Sequence, residues 1–304
     1  MKISVLVNSR NRPQVLARCL DSVLNQAYHP FEVRVLDDAS TTGPLADELA
    51  SRFGDDRLQF TRAEEPLGVA RGRNLLMQQA AGDLFVVIDD DAVFADDQAL
   101  RQLAELFRAR PGVGIVACKI IDHRDEQERL LIPFSQRSRK KKPSLVNQPG
   151  RVSYFLGGGH AVRRDVIARC GAYSNQLTFG EEELDLGYRA IAAGFEIFYL
   201  PDVIIHHYPQ PSVLQSGGRS QPELYFHVQN RFFLARKYLP WRYVPVYLAI
   251  WLARYGRQAV QNGETRAFGA ALLAGLKRFK TVSRTPLGSQ VVAYLRENHG
   301  RLWY

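Results

Sequence analysis

The chain has 304 residues, 46% hydrophobic and 23% charged, with a formal charge of +9. That balance excludes a disordered or fibrous chain and supplies apolar material for a large core, most simply one catalytic-size domain with an appendage. Three scattered cysteines, Cys19, Cys118 and Cys170, form neither a disulfide framework nor a zinc pattern and fit a reducing compartment.

Ile3–Val7 reads as a first strand: the apolar stretch stops at Asn8-Ser9-Arg10, too soon for a signal-peptide core. Pro13 opens a helix whose Val15, Leu16, Cys19, Leu20, Val23 and Leu24 keep helical spacing. Phe31–Leu36 is a second strand ending in Asp37-Asp38, Pro44–Phe53 a helix, Leu58–Thr61 a short strand and Val69–Ala81 a helix. Leu84–Ile88 is a strand buried on both faces that runs into Asp89-Asp90-Asp91. Gln98–Arg108 follows as a helix and Val113–Cys118 as a strand. Strands alternating with helices predict βαβ units, an α/β fold and a mostly parallel sheet.

The rhythm breaks over Asp122–Gly150, a polar segment carrying Arg137-Ser138-Arg139-Lys140-Lys141-Lys142 that reads as a long loop beside the site. Val152–Leu156 reads as a strand, Gly157-Gly158-Gly159 as a place where backbone approaches something closely or turns tightly, and Arg164–Arg169 as a helix. Glu181-Glu182-Glu183 opens a helix running to about Ala193, and Phe195–Leu200 is the last strand before Pro201-Asp202 and His206-His207. From about Gln221 onward only amphipathic helices with Arg, Lys and aromatics remain. Arg219 to Tyr304 holds 14 Lys+Arg against 3 Asp+Glu, a net of +11, which leaves −2 for the rest. Such a tail points to an anionic partner. The longest apolar run, Tyr243 to Ala253, spans about 16 Å as a helix, against a hydrocarbon core of about 30 Å. It is too short to cross a bilayer and long enough to lie on one.

Three adjacent aspartates repel one another at the end of a buried strand, and a hard divalent cation such as Mg²⁺ or Mn²⁺ relieves them. In open α/β sheets ligands bind outside the carboxyl ends of the strands, so Asp37-Asp38, Asp89–Asp91, Glu181–Asp185 and His206-His207 are expected to share one cleft. A carboxylate at Asp38 suits a nucleoside hydroxyl or base, or else caps a turn. Arg71 and Arg73, flanking Gly72 at a helix start, suit phosphate, or else are surface charges. Clustered carboxylates such as Glu182 and Glu183 have raised pKa values, as a general base needs, although acidic residues also favour a helix N-terminus. No Gly-x-Gly-x-x-Gly follows the first strand, no Walker-type loop is present, and no Gly-x-Ser-x-Gly elbow supports a hydrolase.

Five motifs in order then carry a resemblance: Asn8-Ser9-Arg10-Asn11-Arg12; Leu36-Asp37-Asp38-Ala39-Ser40-Thr41; Leu67-Gly68-Val69-Ala70-Arg71-Gly72-Arg73-Asn74; Ile88-Asp89-Asp90-Asp91; and Gly180 to Leu186 followed by Tyr199-Leu200-Pro201-Asp202. Over Met1 to about Pro211 the chain resembles the family 2 glycosyltransferases of GT-A fold. The resemblance implies a GT-A domain at residues 1–215 with a basic helical region at 216–304. It implies an inverting, metal-dependent transfer of a hexose-type sugar from a UDP-, dTDP- or GDP-linked donor to a glycan or lipid-linked acceptor. By the same resemblance Arg10, Asp38, Arg71, Asp89 and Asp90 would contact the nucleotide-sugar, and Asp89, Asp91 and His207 (or His206) would hold Mn²⁺ or Mg²⁺. Asp90 would be the most replaceable of the three aspartates. Gly158, Gly159, His160 and Asp185 would meet the acceptor. The family pattern Glu-Asp-x-Asp is here Glu182-Glu183-Leu184-Asp185, which puts Glu183, with Glu182 as alternative, at the catalytic base. Gln229-Asn230 stands where many relatives have Arg-Asn.

A sugar-phosphate nucleotidyltransferase is the rival enzyme, but it calls for a glycine-rich loop after the first strand, which Asn8–Pro13 lacks. A non-catalytic nucleic-acid or membrane binder would use the basic tail alone, with Trp241, Tyr243, Tyr247 and Trp251 stacking on bases or lying in an interface. An anionic membrane is the preferred partner, no nucleic acid is expected, and the expected location is the cytoplasmic face of the cell membrane.

Overall fold

The computed structural model describes residues 1–124, 128–177, 179–209 and 222–303. In chain order the elements are β1 Ile3–Ser9, α1 Pro13–Leu24, β2 Phe31–Asp37, α2 Leu45–Phe53, β3 Leu58–Arg62, α3 Gly68–Gln79, β4 Leu84–Ile88 and β5 Ala92–Phe94. There follow α4 Ala99–Ala109, β6 Val113–Asp122, β7 Arg129–Leu131, α5 Gln136–Lys141, a 3₁₀ turn at Pro143–Val146, β8 Gly150–Val152, β9 Gly159–Arg163, α6 Arg164–Cys170, α7 Glu182–Ala192 and β10 Glu196–His207. The chain ends with α8 Glu223–Tyr238, α9 Val244–Gln261, α10 Thr265–Thr281 and α11 Ser289–Glu297.

All ten strands form one sheet, ordered β3-β2-β1-β4-β9-β6-β10-β5, with β7 beside β6 and β8 beside β10. β3, β2, β1 and β4 are mutually parallel, and so are β6 and β10. The expected order of strands and helices holds through residue 118 with one addition, β5, a short strand antiparallel to the end of β10 that was not expected. The middle of the sheet differs. β9 lies antiparallel between β4 and β6, where glycines and a turn were expected. Gly159 is the first residue of that strand, because a Cβ there would strike the Ile205 side chain of β10. Conversely, the expected strand Val152–Leu156 reaches only Val152, and the chain beyond it carries Tyr154, Phe155 and Leu156 to the cavity described below. The polar segment 122–150 holds β7, α5 and the 3₁₀ turn. Its basic run is helical because Ser135 caps the first turn, accepting the Ser138 N–H at 3.1 Å.

One apolar cluster lies under α1, α2 and α4 and includes Val5, Val33, Val86, Val116 and Leu103. The other joins the opposite face of the sheet to α7 and to the C-terminal helices, through Phe155, Tyr188, Phe232, Tyr247, Trp251 and Leu295. The helices after β10 therefore share one core with the sheet. The expected boundary at 215–216 lies outside the described residues.

A carboxylate-rich cavity between the sheet edge and the C-terminal helices

The cavity of about 420 Å³ opens where the C-terminal ends of β4 and β6, the β8–β9 connection, the start of α7 and the end of β10 meet. β4 is buried throughout, and as it ends it delivers Asp89, Asp90 and Asp91 to three different surroundings. Asp89 has the most exposed side chain of the three, at 39%, and lines the cavity. Asp91 accepts from Arg12 Nη1 at 3.1 Å and lies 3.1 Å from His207 Nε2. Asp90 is 1% exposed and faces away, accepting from Ser9 Oγ at 2.5 Å and Arg12 Nη2 at 2.5 Å. Burial raises its pKa against the pull of Arg12. The expectation that Asp90 is the replaceable member fails for this reason: it anchors β1 and the following loop to β4.

Ligand atoms of Asp89, Asp91 and His207 all lie within 4.8 Å of one another. Two carboxylates and an imidazole suit Mn²⁺ well and Mg²⁺ acceptably. His207 Nδ1 is buried with no hydrogen-bond partner among the described residues and lies 3.8 Å from Asp122 Oδ1, its neighbour across the parallel β6–β10 pair. That places a carboxylate behind the imidazole, as metal-binding histidines commonly have. The donor set fits a divalent metal. His206 points elsewhere, to His123 Nε2 at 2.8 Å.

Arg73 links this end to the carboxylates at the start of α7. It is 4% exposed and reaches Asp89 at 3.3 Å, Glu182 and Glu183 at 3.5 Å each, and the Gly157 carbonyl at 3.0 Å. Gly157 and Gly158 are required by close approach: a Cβ on Gly157 would collide with the Glu183 carboxylate, and one on Gly158 would come within 2.9 Å of Asp89. Burial raises the pKa of both Glu182 and Glu183, with Glu183 adding to the effect on Glu182 and Arg73 opposing it on both. Glu183 is the more accessible, with 17% of its side chain exposed against 3% for Glu182.

Behind them, Glu181 sits in left-handed backbone at φ 71° directly before α7, a costly conformation for a side chain of this type. Arg231 of α8 holds its carboxylate at 2.5 Å and His227 at 3.2 Å. Burial works to raise its pKa, but Arg231 and His227 outweigh it and bring it down to about 2. Arg231 is itself sandwiched against the Trp251 ring, 3.6 Å from its centroid, and bonded to Tyr247 at 2.9 Å. His227 and Arg301 complete the wall from the C-terminal region.

Other expected residues lie outside the cavity lining. Both Asp38 oxygens accept backbone N–H groups, from Leu67 at 2.6 Å and Gly68 at 3.0 Å, so Asp38 pins the start of α3. Arg71 is exposed and pairs with Glu65 at 3.2 Å. Arg10 has a buried Nε with no hydrogen-bond partner among the described residues. His160 is fully buried, bonded to the Leu156 carbonyl at 3.0 Å and the Tyr173 hydroxyl at 2.5 Å, so neither it nor Gly159 reaches the cavity. Asp185 is fully buried against Arg189 at 2.7 Å, Lys237 at 3.0 Å and Tyr238 at 2.6 Å, which ties α7 to α8. Gly158 does line the cavity. Arg12, Asp122, His227, Arg231 and Arg301 were not singled out from sequence for these places. Arg73 was read beside Arg71 as suited to phosphate, and the structure sets it among carboxylates.

Comparison with known proteins follows the same lines. The "Glycosyltransferase like family 2" domain profile matches residues 2–226. The O-antigen chain rhamnosyltransferase RfbN of Salmonella typhimurium is 24% identical over 217 residues, covering 68% of this chain and 66% of that protein. The O-antigen biosynthesis protein RfbC of Myxococcus xanthus is 24% identical over 221 residues, covering 68% of this chain and 17% of that protein. The chain thus spans less than two thirds of the length of either relative. Among solved structures, Staphylococcus aureus TarS 1–349 in complex with UDP-GlcNAc superposes with a TM-score of 0.66 at 18% identity, over 97% of this chain and 84% of TarS 1–349. The mannosyltransferase PcManGT of Pyrobaculum calidifontis, in complex with GDP-Man and Mn²⁺, gives a TM-score of 0.55 at 18% identity, over 97% of this chain and 74% of that one. These likenesses establish the GT-A fold, and with the profile match over most of its length the chain belongs to the family-2-like glycosyltransferases.

Proposed function

We propose that the protein is an inverting, divalent-metal-dependent glycosyltransferase that moves a hexose-type sugar from a nucleotide-sugar to a hydroxyl of a glycan or lipid-linked acceptor. The observation that carries this is that Asp89 and His207, two of three clustered residues able to hold a metal, line one cavity with two raised-pKa glutamates, joined to Asp89 by the buried Arg73. Asp89, Asp91 and His207 would hold Mn²⁺ or Mg²⁺, which when bound neutralises the charge of the departing nucleoside diphosphate. Arg73 keeps Asp89 and Glu183 apart in a fixed geometry, and its charge stabilises an anion at either. Glu183 accepts the proton of the attacking acceptor hydroxyl, and its raised pKa suits that task near neutral pH. A single displacement inverts the anomeric centre, so an α-linked donor gives a β product. Asp38 supports a nucleoside site indirectly, through the loop at Leu67-Gly68.

The test is a binding and turnover panel with UDP, GDP and dTDP and their sugars, with and without Mn²⁺. Metal-dependent binding of one nucleoside diphosphate, and release of that diphosphate on turnover, is expected. Release of inorganic diphosphate instead would favour a nucleotidyltransferase and overturn this reading.

We further propose that the protein works at an anionic membrane surface, on the cytoplasmic side. No described helix is long and apolar enough to cross a membrane. α9 and α10 nevertheless expose Val246, Ile250, Leu273 and Leu276, and Trp241 precedes them. Residues 241–284 hold eight Lys+Arg against the single acidic Glu264. Apolar exposure within a basic surface suits an interfacial position on anionic lipid. Co-sedimentation with anionic but not neutral liposomes is expected, and no binding at low salt would sink the idea.

A further inference from the structure

The end of the cavity away from the metal ligands carries an unmatched positive charge. Arg301 lines it, partly exposed, with its guanidinium stacked 3.8 Å from the Tyr154 ring centroid and 5.8 Å from that of Trp251. The other basic side chains of the lining each have a carboxylate within ion-pair distance: Arg73 has Asp89, Glu182 and Glu183, His207 has Asp91, and His227 has Glu181. Among the described residues Arg301 makes no such pair. Glu181 is within its electrostatic reach, but that carboxylate is bound to Arg231 at 2.5 Å, and Arg231 repels Arg301. Two guanidiniums and an imidazole thus gather around one carboxylate. Burial and Arg231 oppose the charge on Arg301 while Tyr154 and Glu181 favour it, and an incoming anion would supply the direct ion pair that it lacks.

The guanidinium is also aimed usefully. Tyr154 stacks on the guanidinium and holds part of its donor edge, and the N–H groups that remain can meet a carboxylate or phosphate. Between it and Asp89 the cavity is walled by Phe155, Leu156, Phe179 and Leu184, together with the glutamates. A donor diphosphate belongs at the Asp89–His207 end, so an anion bound at Arg301 lies on the far side of Glu183, where an acceptor would enter.

We propose that Arg301, with His227 beside it, forms an anion-reading subsite for the acceptor, so that the acceptor carries a phosphate or carboxylate group near the reacting hydroxyl. This rests on the reading of the cavity as a glycosyl-transfer site. The experiment is an NMR titration of the full chain, first saturated with Mn²⁺ and the nucleoside diphosphate that binds. The probes are glycerol 3-phosphate against glycerol, and methyl glucuronide against methyl glucoside. At least one anionic probe is expected to bind more tightly than its neutral counterpart. R301Q should weaken that binding by about tenfold or more, R301K should restore part of it, and nucleoside diphosphate affinity should stay unchanged in both. Preference for the phosphate probe assigns a phosphorylated or lipid-phosphate acceptor, and preference for the glucuronide an acidic sugar. Equal binding of charged and neutral probes overturns the inference, as does equal weakening of nucleoside diphosphate binding by R301Q, which would place Arg301 on the donor. If no nucleoside diphosphate binds with Mn²⁺, the transferase reading itself falls and this subsite falls with it.

Discussion

At one end of the cavity Asp89, Asp91 and His207 come from the ends of β4 and β10, two strands of one sheet, with Asp122 at the end of β6 behind them. At the other end Glu181, His227, Arg231 and Arg301 come from the residue before α7, from α8 and from the segment after α11. The first end is rigid because every contributing strand is hydrogen-bonded into the sheet. The second depends on side chains meeting across separately packed helices, and its buried ion pair compensates a strained backbone. On the proposed reading, chemistry that needs fixed ligand geometry sits on the sheet and selectivity is left to the packed helices.

The largest effect should come from the sheet end. Asp89→Asn or Asp91→Asn is expected to lower turnover by about a thousandfold or more, since a metal site contributes several kcal/mol and each 1.4 kcal/mol is a factor of ten. Mn²⁺ affinity, measured directly by calorimetry, should fall in parallel. Retained metal binding in both variants would break the assignment. Glu183→Gln should cost about 10²–10⁴ in kcat with nucleoside diphosphate binding intact, and Glu182→Gln less. Near wild-type rates in both would remove the base from this helix.

Arg231→Met tests the other end through stability rather than rate. It would leave Glu181 charged, buried and without its guanidinium, at a cost of about 3–5 kcal/mol in denaturant unfolding. The pH dependence sharpens this. Glu181 has a folded pKa of about 2, below its ordinary value of 4.5, so its pairing stabilises the fold above the ordinary value and is lost as pH falls through that window. The difference in stability between Arg231→Met and the parent should therefore shrink on acidification. Glu182 and Glu183 behave oppositely. Their raised pKa values put the acid limb of the rate profile above the ordinary glutamate range, with activity lost as pH falls through it. The smallest effect belongs to Arg71→Ala, which breaks only an exposed pair with Glu65 and should change stability by less than about 1 kcal/mol, with little change in turnover.

The clustering of Asp89 and Asp91 with His207 was legible because its signals are local. A buried apolar run ending in three aspartates can occupy only the interior of a sheet, and its end has to meet the ligand edge. Glu182 and Glu183 were legible as a helix start for the same reason. β9 was not, because its few residues begin with glycines and include His160, whose imidazole becomes acceptable in the core only once Tyr173 and the Leu156 carbonyl satisfy it. Asp38 and Asp185 read as site carboxylates, since their type and spacing fit, and only the fold shows their oxygens already occupied. Arg71 and Arg73 are two residues apart on one helix and so lie on different faces. No local rule says which face meets the cavity.

By itself, then, the sequence determined the α/β order through residue 118 apart from the short β5, the carboxylates at the ends of strands and helices, and the basic character of the last third of the chain. These follow from periodicity and from the cost of placing like charges together. The tertiary structure decided which arginine stands between Asp89 and Glu183, which aspartate is an anchor, and that His227 and Arg301 close the cavity, with Arg231 holding Glu181 behind it, from more than forty residues beyond α7's start. Such contacts arise from the packing of distant helices on one face of the sheet, and the chain carries no short-range record of where that packing will bring its charges.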